Sequence, residues 1–271
     1  MKKIILALLV SFLVATTISA QPMLSKMEQL WDQPWVIMKD GHACVDLGLP
    51  SGNLWAMCNI GADSPIESGS FFAWGETKPK LDYSWDTYFD TNDRGTTFIE
   101  YNTDGASEQF HYNLKLKNDA AYVNWGGGWM TPDSDTFNEI IKNCCTVFTT
   151  DYYGVTGWIF FRVKREEDRG IMYPINFSEK LPSIYDYHKD PHIFLPHVGH
   201  MCGNSILTHV VTCGAYMIRE FWVYDEESKS SLALCNHASY LSNSVVSKYI
   251  GQSVRAVWYK SKPNYYWAIQ Y

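Results

Sequence analysis

Seven cysteines and eight histidines are the residues of this chain with the widest chemical repertoire. Thiolates and imidazoles bind zinc and copper, and a cysteine beside a histidine can act as a nucleophile. The cysteines are Cys44, Cys58, Cys144, Cys145, Cys202, Cys213 and Cys235, and no two are spaced as Cys-x-x-Cys. Neither a zinc ribbon nor a thioredoxin-type redox site is therefore indicated. The count is odd, so at least one thiol is free or pairs with another chain, and spacing does not fix the pairing of the rest. At least one disulfide is expected, because the chain reads as exported and disulfides persist outside the cytoplasm. Cys144 and Cys145 are adjacent. A bridge between neighbours strains the peptide between them, so they are expected to face different surroundings.

His188, His192, His197 and His200 crowd within 13 residues, and His209 follows. On a strand, side chains alternate between faces, which puts His192, Phe194 and Pro196 on one side and Ile193, Leu195 and His197 on the other. The crowd is thus expected at a surface of loops and strand ends, with no metal and no other cofactor bound. His197 and His200 are the residues that would supply ligands if a metal were held. No Gly-x-Ser-x-Gly elbow occurs, and no carboxylate spacing singles out a general acid and base. Gly126-Gly127-Gly128 is followed by Trp129-Met130 rather than Lys-Ser/Thr, so it is not a phosphate loop. Its expected role is to let the backbone pass close beneath Trp125 and Trp129.

Aromatic residues form 15% of the chain, including 11 Trp and 18 Tyr. Such rings fill cores and also form stacking platforms for ligands. The candidate contact residues are the aromatics of the C-terminal half: Trp222, Tyr224, Tyr240, Tyr265, Tyr266 and Trp267.

The elements that would carry these residues are short. A helix is expected over about Asp133 to Lys142, where Asp135, Phe137, Ile140 and Ile141 fall at helical spacing and Pro132 occupies the first turn. Strands are expected at Thr146 to Thr150, Val155 to Lys164, His192 to Pro196, Glu220 to Tyr224 and Ser253 to Tyr259. Residues 86 to 120 read as loops, with turns at Asn92 to Gly95 and Asn102 to Gly105. The fold class is α+β, with small antiparallel sheets, few helices and long connections.

The N-terminus begins Met1-Lys2-Lys3, runs apolar from Ile4 to Val14 except at Ser11, and reaches small residues at Ser19-Ala20. That is the layout of a secretory signal, with cleavage placed after Ala20. The apolar run is shorter than the roughly 20 residues of a spanning helix, and no cysteine follows it closely enough to take a lipid. The expected layout is signal peptide 1–20, a lead-in 21–43, and a single domain over 44–271 with an extension after about residue 257. The expected location is the periplasm, the cell surface or the medium. Cleavage changes the formal charge from −7 to −9, which argues against nucleic acid and anionic membrane surfaces as partners.

Several blocks together resemble a known family. They are VDLGLPSGNLWAMCNIGADSPIESGSFFAWGET at 45–77, Leu81-Asp82-Tyr83-Ser84-Trp85, DAAYVNWGGGWMTPDSDTFNEI at 119–140, IFLPHVGHM at 193–201 and GQSVRAV at 251–257. In that order they are similar to the Fibrobacter succinogenes major paralogous domain family of Bacteroidota, itself similar to the formylglycine-generating-enzyme-like branch of the C-type-lectin-like fold. The resemblance implies a C-type-lectin-like domain. Enzymes of that branch use two closely spaced cysteines converging on copper, whereas Cys202, Cys213 and Cys235 are far apart in this chain. A calcium-dependent sugar site of that fold is marked by Glu-Pro-Asn or Gln-Pro-Asp, and Asp32-Gln33-Pro34 is neither. The implied function is a non-catalytic extracytoplasmic binding module for a glycan or surface protein. The alternative is a metal-dependent oxidoreductase or hydrolase of the same superfamily. Arg255, inside GQSVRAV, is expected to make a structural contact to a carbonyl or carboxylate.

Overall fold

Strand Val36–Lys39 turns through Asp40 and Gly41 into strand His42–Val45, and the two turn residues have φ of 46° and 85°. A two-residue Asp-Gly loop with positive φ matches the twist of the strands it joins, so Lys39 pairs with His42 and Val36 with Val45. The computed structural model describes residues 27–95, 97–101, 111–174, 184–207, 214–222, 230–237 and 239–261. In it this hairpin is the edge of a five-stranded sheet that continues through Leu54–Ala56, Val257–Trp258 and Trp129–Met130. The sheet therefore begins inside the stretch expected to be a lead-in.

A second five-stranded sheet runs Tyr240–Ser247, Ser230–His237, Gly214–Met217, Gln252–Ser253, Phe71–Phe72. It is antiparallel except where Tyr216 pairs in parallel with Ser253. A four-stranded sheet orders His192–Pro196, Val155–Arg162, Cys144–Tyr152 and Met172–Tyr173. Two α-helices occur among the described residues, α1 (Ala120–Trp125) and α2 (Ser134–Asn143). The chain is thus a sheet-rich α+β protein, and none of its described helices is long and apolar enough to cross a membrane.

Helix α2 forms where its sequence pattern puts it. Asp133 is the N-cap and accepts from the Thr136 N–H at 2.8 Å, while Phe137 and Ile140 turn inward. Pro132 lies one residue ahead of the cap rather than in the first turn. Helix α1, one and a half turns long, has too little periodicity to be seen in sequence. It is held by buried Asp119, which accepts from Ala121 N and Tyr122 N at the helix start and from the Thr131 N–H and hydroxyl beyond strand Trp129–Met130. Phe137 packs on Trp55 with ring centroids 5.2 Å apart, which joins α2 to the first sheet. Trp55, Trp74, Trp129 and Trp158 are all fully buried, so much of the aromatic excess is core.

The strand expected from Ser253 to Tyr259 is instead two short strands in different sheets, Gln252–Ser253 and Val257–Trp258. Between them the carbonyls of Val254 and Ala256 accept from Ile60 N and Ala56 N, each at 3.0 Å, while the chain crosses from one sheet to the other. Arg255 sits fully buried at the crossing. Its guanidinium donates to the carbonyls of Ala56 (3.2 Å) and Met57 (2.8 Å) and to Asn59 Oδ1 (2.8 Å), the carbonyl contact expected of it.

Candidate binding face

Of the C-terminal aromatics named from sequence, Tyr240 alone has its side chain among the described residues. Trp222 closes strand Glu220–Trp222, but its side chain lies outside the described residues, as do Tyr224, Tyr265, Tyr266 and Trp267 altogether. Tyr240 is 48% exposed at the start of its strand. His197 is half-buried with its ring edge-on to Phe148, and His200 lies on strand His200–Cys202. His209 lies outside the described residues. Among the described residues no three His, Cys, Asp or Glu side chains converge as a metal site would need. His192 departs from the expected surface position. It is buried between Trp35, Tyr152 and Phe161, because aromatic rings cover the end of its strand.

Cys44, Cys58, Cys144, Cys145 and Cys202 are free thiols. The expectation of a disulfide then falls on Cys213, outside the described residues, and Cys235, whose side chain is also outside them. Burial pushes the thiols of Cys44, Cys58 and Cys145 up to about 12, and that of Cys144 up as well. These four are protonated at neutral pH, and the thiolate is the form that attacks or binds metal.

A different group of residues gathers at the tip of the first hairpin. The His42 ring stacks on Trp125 at 4.0 Å between centroids and 11° between planes, and meets the buried Trp129 edge-on at 6.1 Å. Trp125 is the last residue of α1 and is itself edge-on to Trp129. Trp129 Nε1 donates to the Lys39 carbonyl at 3.2 Å, which fixes the hairpin over the helix end. On the other side of the tip, Asp40 Oδ2 accepts from Trp258 Nε1 at 3.0 Å and from the Gly128 N–H at 3.2 Å. The Lys39 ammonium lies 4.7 Å from the Trp258 ring centroid, within cation–π range.

The glycine run shapes this tip, though not by passing beneath Trp125 and Trp129. A β-carbon on Gly127 would stand 2.1 Å from Asp40 Oδ2, and one on Gly128 would stand 2.6 Å from Trp258 Nε1. Gly126 has open space around it but adopts φ 69° and ψ −158°, a region open to glycine alone. The run thus lets the backbone close on the carboxylate and the indole together.

Charge on this face follows from the same contacts. The Gly128 N–H, and then the Trp258 indole, hold the Asp40 carboxyl below its ordinary value. Partial burial lowers His42, against the opposing pull of Asp40. At neutral pH the face therefore carries a carboxylate and a neutral imidazole beside two half-buried indoles, Trp125 against His42 and Trp258 against Asp40. Nothing in the local sequence of Trp125 and Trp258 separates them from core tryptophans; the glycine run is the local signal of this face.

No protein-family model matches the chain, and no curated protein or solved structure matches it.

Proposed function

We propose that this protein is an exported C-type-lectin-like binding module, and that it takes a glycan on the face formed by Asp40, His42, Trp125 and Trp258. The observation that carries the reading is two half-buried indoles at one hairpin tip, Trp258 donating to the exposed Asp40 carboxylate and Trp125 stacked on His42. Indole faces stack on the apolar side of a sugar ring, and a carboxylate accepts from its hydroxyls. Both indoles are ordered before ligand arrives, Trp125 by His42 and Trp129, Trp258 by Asp40, so little side-chain freedom is lost on binding. The secretory layout of residues 1–20 and the family resemblance of the sequence blocks support export and fold. The half-buried tryptophans are the leading contacts, joined by exposed Tyr240, the one C-terminal candidate whose side chain is among the described residues. The buried, protonated thiols of Cys44, Cys58, Cys144 and Cys145 favour recognition over nucleophilic chemistry at those four cysteines.

The test is a glycan-array screen followed by titration of Trp125→Ala and Trp258→Ala. Each is expected to weaken binding by about 5- to 150-fold, the range of about 1–3 kcal/mol for truncating an aromatic anchor. Folded variants that bind as the parent does would remove this face from consideration. Turnover of a glycan by the parent would replace the binding reading with the enzymatic one.

A further inference from the structure

A second cluster, far from the hairpin tip in sequence, contains a hydrogen-bonded tyrosine and histidine that no binding role uses. Tyr152 and His192 are 1% and 2% exposed, and the Tyr152 hydroxyl lies 2.8 Å from His192 Nε2. His192 Nδ1 lies 2.8 Å from the Asp190 carbonyl. A carbonyl only accepts, so Nδ1 carries the ring proton, Nε2 presents its lone pair, and the phenol donates to it. Burial drives His192 down to about 4 and Tyr152 well above its ordinary value. At neutral pH the imidazole is an empty proton acceptor and the phenolate is excluded.

Rings lead from this pair to the surface by two routes. Tyr152 is 5.2 Å from Tyr187 and 4.9 Å from Tyr153 between centroids, and Tyr187 is 4.2 Å from the exposed His188. From the histidine, the half-buried Trp35 is 5.2 Å away between centroids. Such separations are van der Waals contacts, so an electron can pass between neighbouring rings without a gap of aliphatic chain.

We propose that Tyr152 and His192 form a proton-coupled redox pair that traps oxidising equivalents entering through the surrounding rings. A one-electron oxidant in the surrounding solution, such as a carbonate or peroxyl radical, takes one electron from Tyr187 or Trp35. The hole moves to Tyr152, its O–H bond breaks, and the proton passes to His192 Nε2, leaving a neutral tyrosyl radical beside an imidazolium. A thiol reductant returns one electron to Tyr152, His192 gives the proton back, and the thiol is left as a thiyl radical after losing its own proton to solvent. The hydrogen bond matters because a phenol loses an electron far more readily when its proton has a base to go to. Among the described residues the base hydrogen-bonded to the Tyr152 hydroxyl is His192.

The experiment is flash oxidation of the intact protein by photogenerated ruthenium(III) tris-bipyridine, read by tyrosyl absorbance and electron paramagnetic resonance. The expected result is a tyrosyl radical that Tyr152→Phe removes and that forms more slowly in D2O than in H2O. His192→Phe is expected to lower its yield about tenfold, equivalent to about 1.4 kcal/mol. A radical signal unchanged in Tyr152→Phe, or unchanged in folded His192→Phe, would overturn the proposal. If His192→Phe does not fold, the solvent isotope effect in the unmodified protein decides alone: its absence overturns the proposal. Neither readout depends on glycan binding, so this proposal and the binding face fail separately.

Discussion

Asp40 and Gly127 approach so closely that a β-carbon on the glycine would lie 2.1 Å from the carboxylate Oδ2. Gly127→Ala therefore meets two penalties, a φ of +58° that alanine resists and displacement of the Asp40 side chain. The backbone cost is about 1–2 kcal/mol. Asp40 is exposed and can move, so the second penalty falls on its bonds to Gly128 and Trp258 more than on global stability. Urea unfolding of Gly127→Ala, Asp40→Ala and the double variant separates the two. The glycine substitution is expected to cost less in the Asp40→Ala background, and an equal cost in both backgrounds would show that the contact does not shape the tip.

Lys248 is fully buried, with its ammonium 3.7 Å from the Phe221 ring centroid, 3.9 Å from that of Phe98 and 5.3 Å from that of Trp74. Its nitrogen has no hydrogen-bond partner among the described residues, and burial lowers it to about 7, with Asp90 opposing. The unfolded chain holds the proton up to its ordinary value of 10.5. Between pH 7 and 10.5 the unfolded state therefore binds more protons, and stability rises with pH. Below pH 7 both states are protonated and the whole cost of burying the ammonium is present. That cost is at most about 5 kcal/mol, and the three ring faces offset part of it. Lys248→Met is expected to raise stability by about 1–3 kcal/mol at pH 6, with the gain shrinking toward pH 10. Urea midpoints across that range check it; a gain independent of pH would mean that the lysine stays charged throughout.

Arg255 serves two carbonyls and one side-chain amide from a single planar fork. Lys cannot reproduce that geometry. Arg255→Lys is expected to destabilise the protein by about 3 kcal/mol or more, since buried acceptors at Ala56, Met57 and Asn59 lose charged donors. Thermal and urea unfolding measure the loss. A variant within about 0.5 kcal/mol of the parent, the span of an ordinary surface change, would show that the crossing is held by backbone bonds alone.

What could be read in the sequence was local. Helix α2 has its cap at Asp133 and its inward pair Phe137 and Ile140 within one stretch, and strands Val155–Arg162 and His192–Pro196 are rich in β-branched and aromatic residues. Their physics acts over a few residues, so the pattern was visible without the fold. The candidate site was not. Asp40 and Trp258 are 218 positions apart, and their contact exists only because the hairpin edge and the penultimate strand enter one sheet. Residue type could not separate a half-buried Trp125 from a fully buried Trp129 four positions later, since that difference is set by which neighbours cover each ring. Likewise the run 253–259 has strand composition throughout, yet the chain leaves one sheet and enters another at Arg255. Only tertiary packing decides that, because the carbonyls of Val254 and Ala256 find their donors at Ile60 and Ala56, on a segment nearly two hundred residues earlier.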